Sequence, residues 1–170
     1  RPVHEEMTPF VYYAMHILSG DSARDEVVTK MITCGGKVAV GTDLTVLLMI
    51  ASYCSIEYLE SLVELLPDFC CCVHTDGTTL LHIVASRRDV ALFNLVRSYT
   101  PPALLNATAG KEGLAVSHIL AQKWSIDQEE VNITGIDWGV SSRSGKTAIT
   151  FAIDVGNIAV ARIAMQDPNG

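Results

Sequence analysis

The sequence predicts an all-α fold, a solenoid of stacked helix–turn–helix–loop units. Three observations carry that reading. A short block recurs along the 170-residue chain, framed on positions 6, 43, 77, 113 and 145. Three of the blocks are framed on glycine, and each block then runs apolar into alanine at helical spacing. After most blocks comes a second apolar stripe, closed by proline or glycine.

The blocks are legible residue by residue. The third reads Asp76-Gly77-Thr78-Thr79-Leu80-Leu81-His82-Ile83-Val84-Ala85, and the fourth Gly113-Leu114-Ala115-Val116-Ser117-His118-Ile119-Leu120-Ala121. The last reads Gly145-Lys146-Thr147-Ala148-Ile149-Thr150-Phe151-Ala152. Earlier copies are Asp43-Leu44-Thr45-Val46-Leu47-Leu48-Met49-Ile50-Ala51 and Met7-Thr8-Pro9-Phe10-Val11-Tyr12-Tyr13-Ala14. A threonine hydroxyl at the head of a block can take an orphan amide of the helix it starts.

The second helices follow from their stripes. Ile56, Leu59, Leu62, Val63 and Leu66 form one, stopped by Pro67. Val90, Phe93, Leu95, Val96 and Tyr99 form the next, closed by Pro101-Pro102. Val27, Val28, Met31 and Ile32 serve in the first unit, with Gly35-Gly36 as the stop. Ile158, Val160, Ala161 and Ile163 serve in the last, after a turn at Gly156-Asn157. The fourth unit is the weak one, because its second helix has only Asp127–Ile133 to draw on; a distorted helix is expected there. One such unit cannot bury its own apolar face, whereas a stack of several can.

The pattern resembles the ankyrin repeat, whose period is about 33 residues and whose signature runs T-P-L-H-x-A. The block at Gly77 matches best, and the first keeps Thr8-Pro9-Phe10. The resemblance covers nearly the whole chain, as one domain over 1–170 with units near 6–40, 41–74, 75–110, 111–142 and 143–170. It implies that His82 and His118, which share a frame position, hold backbone across neighbouring loops, with Gly77, Gly113 and Gly145 as structural residues. It also implies a concave face built from loop tips and first helices. The positions mapped onto that face are Tyr53, Thr75, Asp76, Thr78, Ser86, Arg87, Lys111, Glu112, Gln122, Lys123, Arg143 and Lys146. Tyr53 and Arg87 are the expected anchors, since aromatic residues and arginine dominate hot spots. Trp124 and Trp138 read equally as anchors or as plugs of the irregular fourth unit.

Composition narrows function. Hydrophobic residues make up 49% and charged residues 18%, which argues against disorder. No apolar run approaches the roughly 18 residues of a membrane span. The N-terminus lacks a basic stretch leading into an apolar one, so no signal peptide is expected, and Arg1 reads as the start of a fragment. The five cysteines, Cys34, Cys54 and Cys70-Cys71-Cys72, are odd in number and three are adjacent, a poor disulfide framework; a reducing, cytoplasmic or nuclear, setting is expected. The net charge of −7 disfavours nucleic acid as the main partner. All of that excess lies in residues 1–85, which could steer a basic protein.

Motifs with chemistry of their own are few. Ser144-Gly145-Lys146-Thr147 resembles the end of a phosphate-binding loop, but the glycine that loop needs falls on Val140. Cys70–Cys72 with His74 lacks the second ligand pair that zinc sites use. Asn106-Ala107-Thr108 and Asn132-Ile133-Thr134 fit the glycosylation sequon, and without a secretory route they are expected to stay unmodified. No catalytic constellation stands out. The expected function is therefore a non-catalytic protein-binding module, without cofactor, metal or small-molecule substrate. The alternatives are an inhibitory or Notch-like ankyrin domain of a transcription-control protein, or a cytoplasmic domain of a larger channel or enzyme.

Overall fold

A computed structural model describes residues 48, 51–52, 54–125 and 130–166. The first unit with its stripe from Val27 to Ile32, Tyr53, and Asp127–Glu129 lie outside the described residues. Those described form seven helices and no strand: α1 (Ile56–Leu65), α2 (Leu80–Arg87), α3 (Val90–Tyr99), α4 (Pro102–Leu105), α5 (Val116–Lys123), α6 (Ala148–Asp154) and α7 (Ile158–Gln166). A 3-10 turn, Pro67–Cys71, follows α1. No described helix is long and apolar enough to cross a membrane.

The helices lie in two layers. In one, α2 packs on α5 and α5 on α6; in the other, α1 packs on α3, and α7 lies against α6 and α5. Each start has a local cause. Ser55 accepts the Tyr58 amide at 3.1 Å to cap α1, and Asp89 accepts the Leu92 amide at 2.8 Å to cap α3. The core between the layers includes Leu59, Val63, Leu80, Leu81, Val84, Leu92, Phe93, Val96, Leu120 and Val160, all fully buried.

Two members of the sequence stripes, and one residue outside them, sit differently from the expectation. Leu92, absent from the α3 stripe, is fully buried, whereas Tyr99 is 42% exposed at the helix end. Ile158, assigned to the core stripe of α7, is 72% exposed. The rest of each stripe is buried or packed on the core, so the departures are at single positions, where the neighbouring helix decides what is covered.

Between units the chain makes short hairpins, each closed by one antiparallel bridge: Val73 with Thr79, Ala109 with Leu114, and Ser141 with Thr147. Gly77, Gly113 and Gly145 take positive φ in these tips. The hairpins stack through backbone, with the Gly110 amide on the Asp76 carbonyl and the Arg143 amide on the Glu112 carbonyl, both at 2.9 Å. Gly77 packs so closely that a Cβ there would sit 2.3 Å from the Thr108 carbonyl oxygen.

A second set of bonds ties the first helices. Backbone carbonyls receive a side chain from further along the chain: Arg87 donates to Ala51 at 2.9 Å, Trp124 to Ala85 near the end of α2 at 2.6 Å, and Asn157 to Ala121 near the end of α5 at 3.0 Å. The Ala85 and Ala121 carbonyls lie in the last turns of α2 and α5, beyond reach of an intrahelical donor, so each of these two bonds satisfies an orphan acceptor while fixing the next unit.

Of the stretch expected to supply the second helix of the fourth unit, the described part, 130–133, is not helical. From Glu130 to Ser141 the chain is irregular. Val131, Ile133 and Thr134 are β-branched, Gly135 follows, and the Asn132 side chain accepts the Thr134 amide at 3.2 Å, a bond that competes with helix. The segment is clamped to the preceding unit instead. Asn94 donates to the Glu130 carbonyl and accepts the Asn132 amide, both at 2.7 Å; the Arg97 guanidinium donates to the Thr134 carbonyl; Asn106 donates to Gly135 and accepts the Asp137 amide. Val131, Ile136 and Trp138 are buried beneath it.

Gly77→Ala combines backbone strain with a clash against carbonyl oxygen, whereas Gly145→Ala meets no atom within 4 Å and carries the positive φ alone. Gly77→Ala is expected to cost about 2–3 kcal/mol and Gly145→Ala about 1 kcal/mol, from the usual penalty of a non-glycine residue at positive φ. Chemical denaturation of the two variants measures the difference. Ser117, on α5, is buried with no hydrogen-bond partner for its hydroxyl. Ser117→Ala should leave stability unchanged or raise it by up to about 1 kcal/mol, since it removes an unpaid desolvation; a loss of stability in the same assay would contradict this.

Candidate functional site

The hairpins project beside the first helices, and two histidines set their position. His82 lies in the first turn of α2, with Nδ1 3.3 Å from the Thr79 amide and 2.8 Å from its hydroxyl. Its Nε2 reaches the next hairpin, 3.0 Å from the Ala107 carbonyl and 3.1 Å from the Leu114 carbonyl. His118 repeats this on α5, accepting the Ala115 amide at 2.9 Å and donating to the Lys146 carbonyl at 3.0 Å. An amide can only donate and a carbonyl only accept, so both rings are neutral with the proton on Nε2. Burial pushes both pKa values below the ordinary histidine range, against the smaller opposing pull of the carbonyls. His118 also stacks edge-on against Phe151, centroids 5.1 Å apart.

Between the α2 face and the hairpin at 109–114 lies an open groove of about 420 Å³. Ile83, Leu114 and Ile119 give it an apolar floor; Ser52, Thr78, Ser86 and Arg87 supply polar groups. A second hollow of about 440 Å³ lies beside the following hairpin, lined by Glu112, Leu114, Arg143, Lys146 and Phe151 among others.

The positions mapped from sequence fall into two rows. Thr75, Asp76, Lys111, Glu112, Arg143 and Lys146 are exposed in the hairpin tips, while Ser86, Arg87, Gln122 and Lys123 lie at the ends of α2 and α5. Thr78, Ser86 and Arg87 line the first groove, and Glu112, Arg143 and Lys146 the second; Gln122 and Lys123 lie outside both. Tyr53 lies outside the described residues. Arg87 is half-buried, and its guanidinium is already bonded to the Ala51 carbonyl. Trp124 and Trp138 are buried plugs, 4% and 2% exposed; Trp124 stacks edge-on against Phe93 at 5.2 Å. The mapped positions omit Ile83, Ala109, Gly110 and Ile119, which also line the first groove. Ile83 and Ile119 each follow a frame histidine, and that register was the available signal.

The tip electrostatics are local. The Thr78 backbone amide, then His74, hold the Asp76 carboxyl down to about 2. Lys146 Nζ sits 2.7 Å from Asp154 and 5.9 Å from the Phe151 ring centroid. The phosphate-loop-like stretch is therefore a hairpin tip whose amides are engaged: Gly145 donates to the Ser142 carbonyl at 2.9 Å and Lys146 to the Ser142 hydroxyl at 3.2 Å. Cys70 and Cys72 are buried, and burial first, then neighbouring thiols, raises them to about 12 and about 11. Among the described residues no three His, Cys, Asp or Glu side chains gather in a metal-binding arrangement. Of the two sequon asparagines, Asn106 has both amide atoms bonded within the clamp, and Asn132 is exposed.

No protein-family model matches the chain, and no curated protein matches it significantly.

The histidines make the hairpin row acid-sensitive. Their folded pKa values lie below the unfolded value near 6.5, so the folded chain binds fewer protons, and stability is full above that pH and falls as pH drops through it. The melting temperature should therefore decline on acidification below about pH 6.5. In His82→Leu the decline should be shallower, from a lower starting stability, because the substitution orphans the Thr79 amide and the Ala107 carbonyl at about 2–4 kcal/mol in all, while the Leu114 carbonyl keeps the Ala109 amide. Thermal melts across pH 5–8 check both.

Proposed function

We propose that this chain is an ankyrin-type repeat module that binds another protein along the groove between its hairpins and first helices. The observation that carries the reading is the recurrence of one arrangement. A bridged hairpin precedes a helix at 80, 116 and 148, and the first two helices carry a histidine that donates to the following hairpin. Such stacking produces an extended concave surface, the common binding face of solenoids. The apolar floor of Ile83, Leu114 and Ile119 beneath the polar side chains of Thr78 and Ser86 suits a protein ligand, since interface centres are apolar and their rims polar. The reading needs no catalytic group, and it fits a chain working in the cytoplasm or nucleus.

A second reading is a regulatory domain that masks a basic partner. It is favoured by Glu57, Glu60, Glu64 and Asp68, which lie along and just past α1 with Glu57, Glu64 and Asp68 exposed. That reading predicts capture that weakens steeply with salt, because exposed charges are screened within about 10 Å at 0.1 M ionic strength.

Capture from cell lysate by the chain and by Thr78→Glu/Ser86→Glu tests the groove. Both substitutions put charge into the groove at positions outside the core, so the melting temperature should hold. A partner retained by the wild type and lost by the double variant supports groove binding. Equal retention by both removes the groove from the function.

A further inference from the structure

The two hollows on the hairpin side meet at one residue. Leu114 lines both the groove beside α2 and the hollow beside the following hairpin. With Ile83, Ile119 and Phe151 it makes an apolar floor common to the two. The charge around that floor is opposite to the charge of the chain. The chain carries −7 overall, and α1 with the turn after it holds Glu57, Glu60, Glu64 and Asp68 and no cation. The described side chains lining the two hollows include three cations, Arg87, Arg143 and Lys146, and one acid, Glu112.

The two arginines are held alike. Arg87 Nη1 donates to the Ala51 carbonyl at 2.9 Å and lies 3.9 Å from the Cys54 sulfur; Arg143 Nη1 donates to the Lys111 carbonyl at 3.2 Å. Backbone carbonyls orient a guanidinium without cancelling its charge. The ion pairs among the described residues are His74–Asp76 and Lys146–Asp154, so neither arginine pairs with a described carboxylate. Each keeps its Nε–Nη2 edge, the side of a guanidinium that takes a carboxylate through two parallel hydrogen bonds. Lys146 shares its charge with Asp154 and adds less.

We propose that the groove takes an extended acidic segment of its partner, with an aliphatic side chain over Leu114 and carboxylates on Arg87 and Arg143. The proposal rests on the groove reading and adds the chemistry of the ligand. A basic segment would leave both guanidinium groups unpaired and set like charges beside them, which costs affinity. A nucleic acid would meet the repulsion of the whole chain, and its phosphates would find cations separated by an apolar floor rather than a basic stripe.

The test selects a random-peptide display library on the 170-residue chain. The enriched sequences should be acidic and carry an aliphatic residue among the acids. The most enriched sequence is then synthesised and titrated by fluorescence anisotropy. Replacing its Asp and Glu by Asn and Gln should weaken binding about tenfold or more, and so should Arg143→Gln in the protein, because charge-assisted bonds are the strong ones. Leu114→Ser, which leaves every charge in place, should weaken it as well; thermal melts establish that both variants fold. Basic or neutral peptides that lose affinity for Leu114→Ser overturn the acidic ligand and leave groove binding standing. Peptides that bind Leu114→Ser and Thr78→Glu/Ser86→Glu as tightly as the wild type overturn both. A selection that enriches no sequence, or a single-stranded oligouridylate that binds more tightly than the peptide, overturns the acidic ligand.

Discussion

Everything else in this fold depends on backbone groups that one unit leaves open and the next unit satisfies. Short helices are costly in this respect: α2 and α5 have eight residues and α6 seven, so much of each helix's backbone lacks an internal partner. His82 and His118 spend one ring nitrogen on an amide at the start of their own helix and the other on a carbonyl of the next hairpin. Trp124 and Asn157 do the matching work at the other end of α2 and α5. Hydrogen bonds of this kind contribute only about 1 kcal/mol each when made, but an abandoned buried partner costs about 1–3 kcal/mol. The staples therefore act less as glue than as a register lock, because a displaced hairpin would strand several polar groups at once.

The fourth unit shows that the lock matters more than the helix. Between Glu130 and Ser141 there is no second helix, yet the layers above and below remain in step. Three side chains of the preceding unit, Asn94, Arg97 and Asn106, bond to backbone at 130, 132, 134, 135 and 137. Asn94 is engaged through both its amide nitrogen and its oxygen, much as a neighbouring strand would engage a backbone. The lost helical burial is recovered in part by Trp138 and Ile136, and Trp124 fills the gap against Phe93.

The parts legible in the sequence are those the backbone dictates. Gly77, Gly113 and Gly145 stand out because each takes a positive φ, and the frame histidines because their bonds recur with the frame. Helix faces were read less well. Tyr99 and Ile158 are apolar and correctly spaced, but whether such a residue is covered is decided by the neighbouring unit, which no local pattern records. The clamp around 130–137 was invisible for a related reason: Asn94 and Asn106 look like ordinary surface asparagines until a partner more than 25 residues away is brought beside them. Ile83 and Ile119 line the groove, although an isoleucine next to a frame histidine carries no sequence mark that separates groove from core.

Arg87 sets a constraint on how this site can be read. It lines the groove, and arginine beside an apolar floor is the sort of residue that dominates binding. Its guanidinium also donates to the Ala51 carbonyl of the preceding unit. A partner that recruited this arginine would use the donors that remain after that bond, so it would meet a side chain already fixed in place, with little rotamer entropy left to lose. The same tie means that removing Arg87 strikes the stack and the groove together, and a loss of binding in such a variant would not separate them. Thr78 and Ser86 lie in the groove, and no side-chain bond to another unit ties either of them. Substitutions at these two residues therefore report on the surface, while those at Arg87, His82 and Trp124 report on the architecture that creates it.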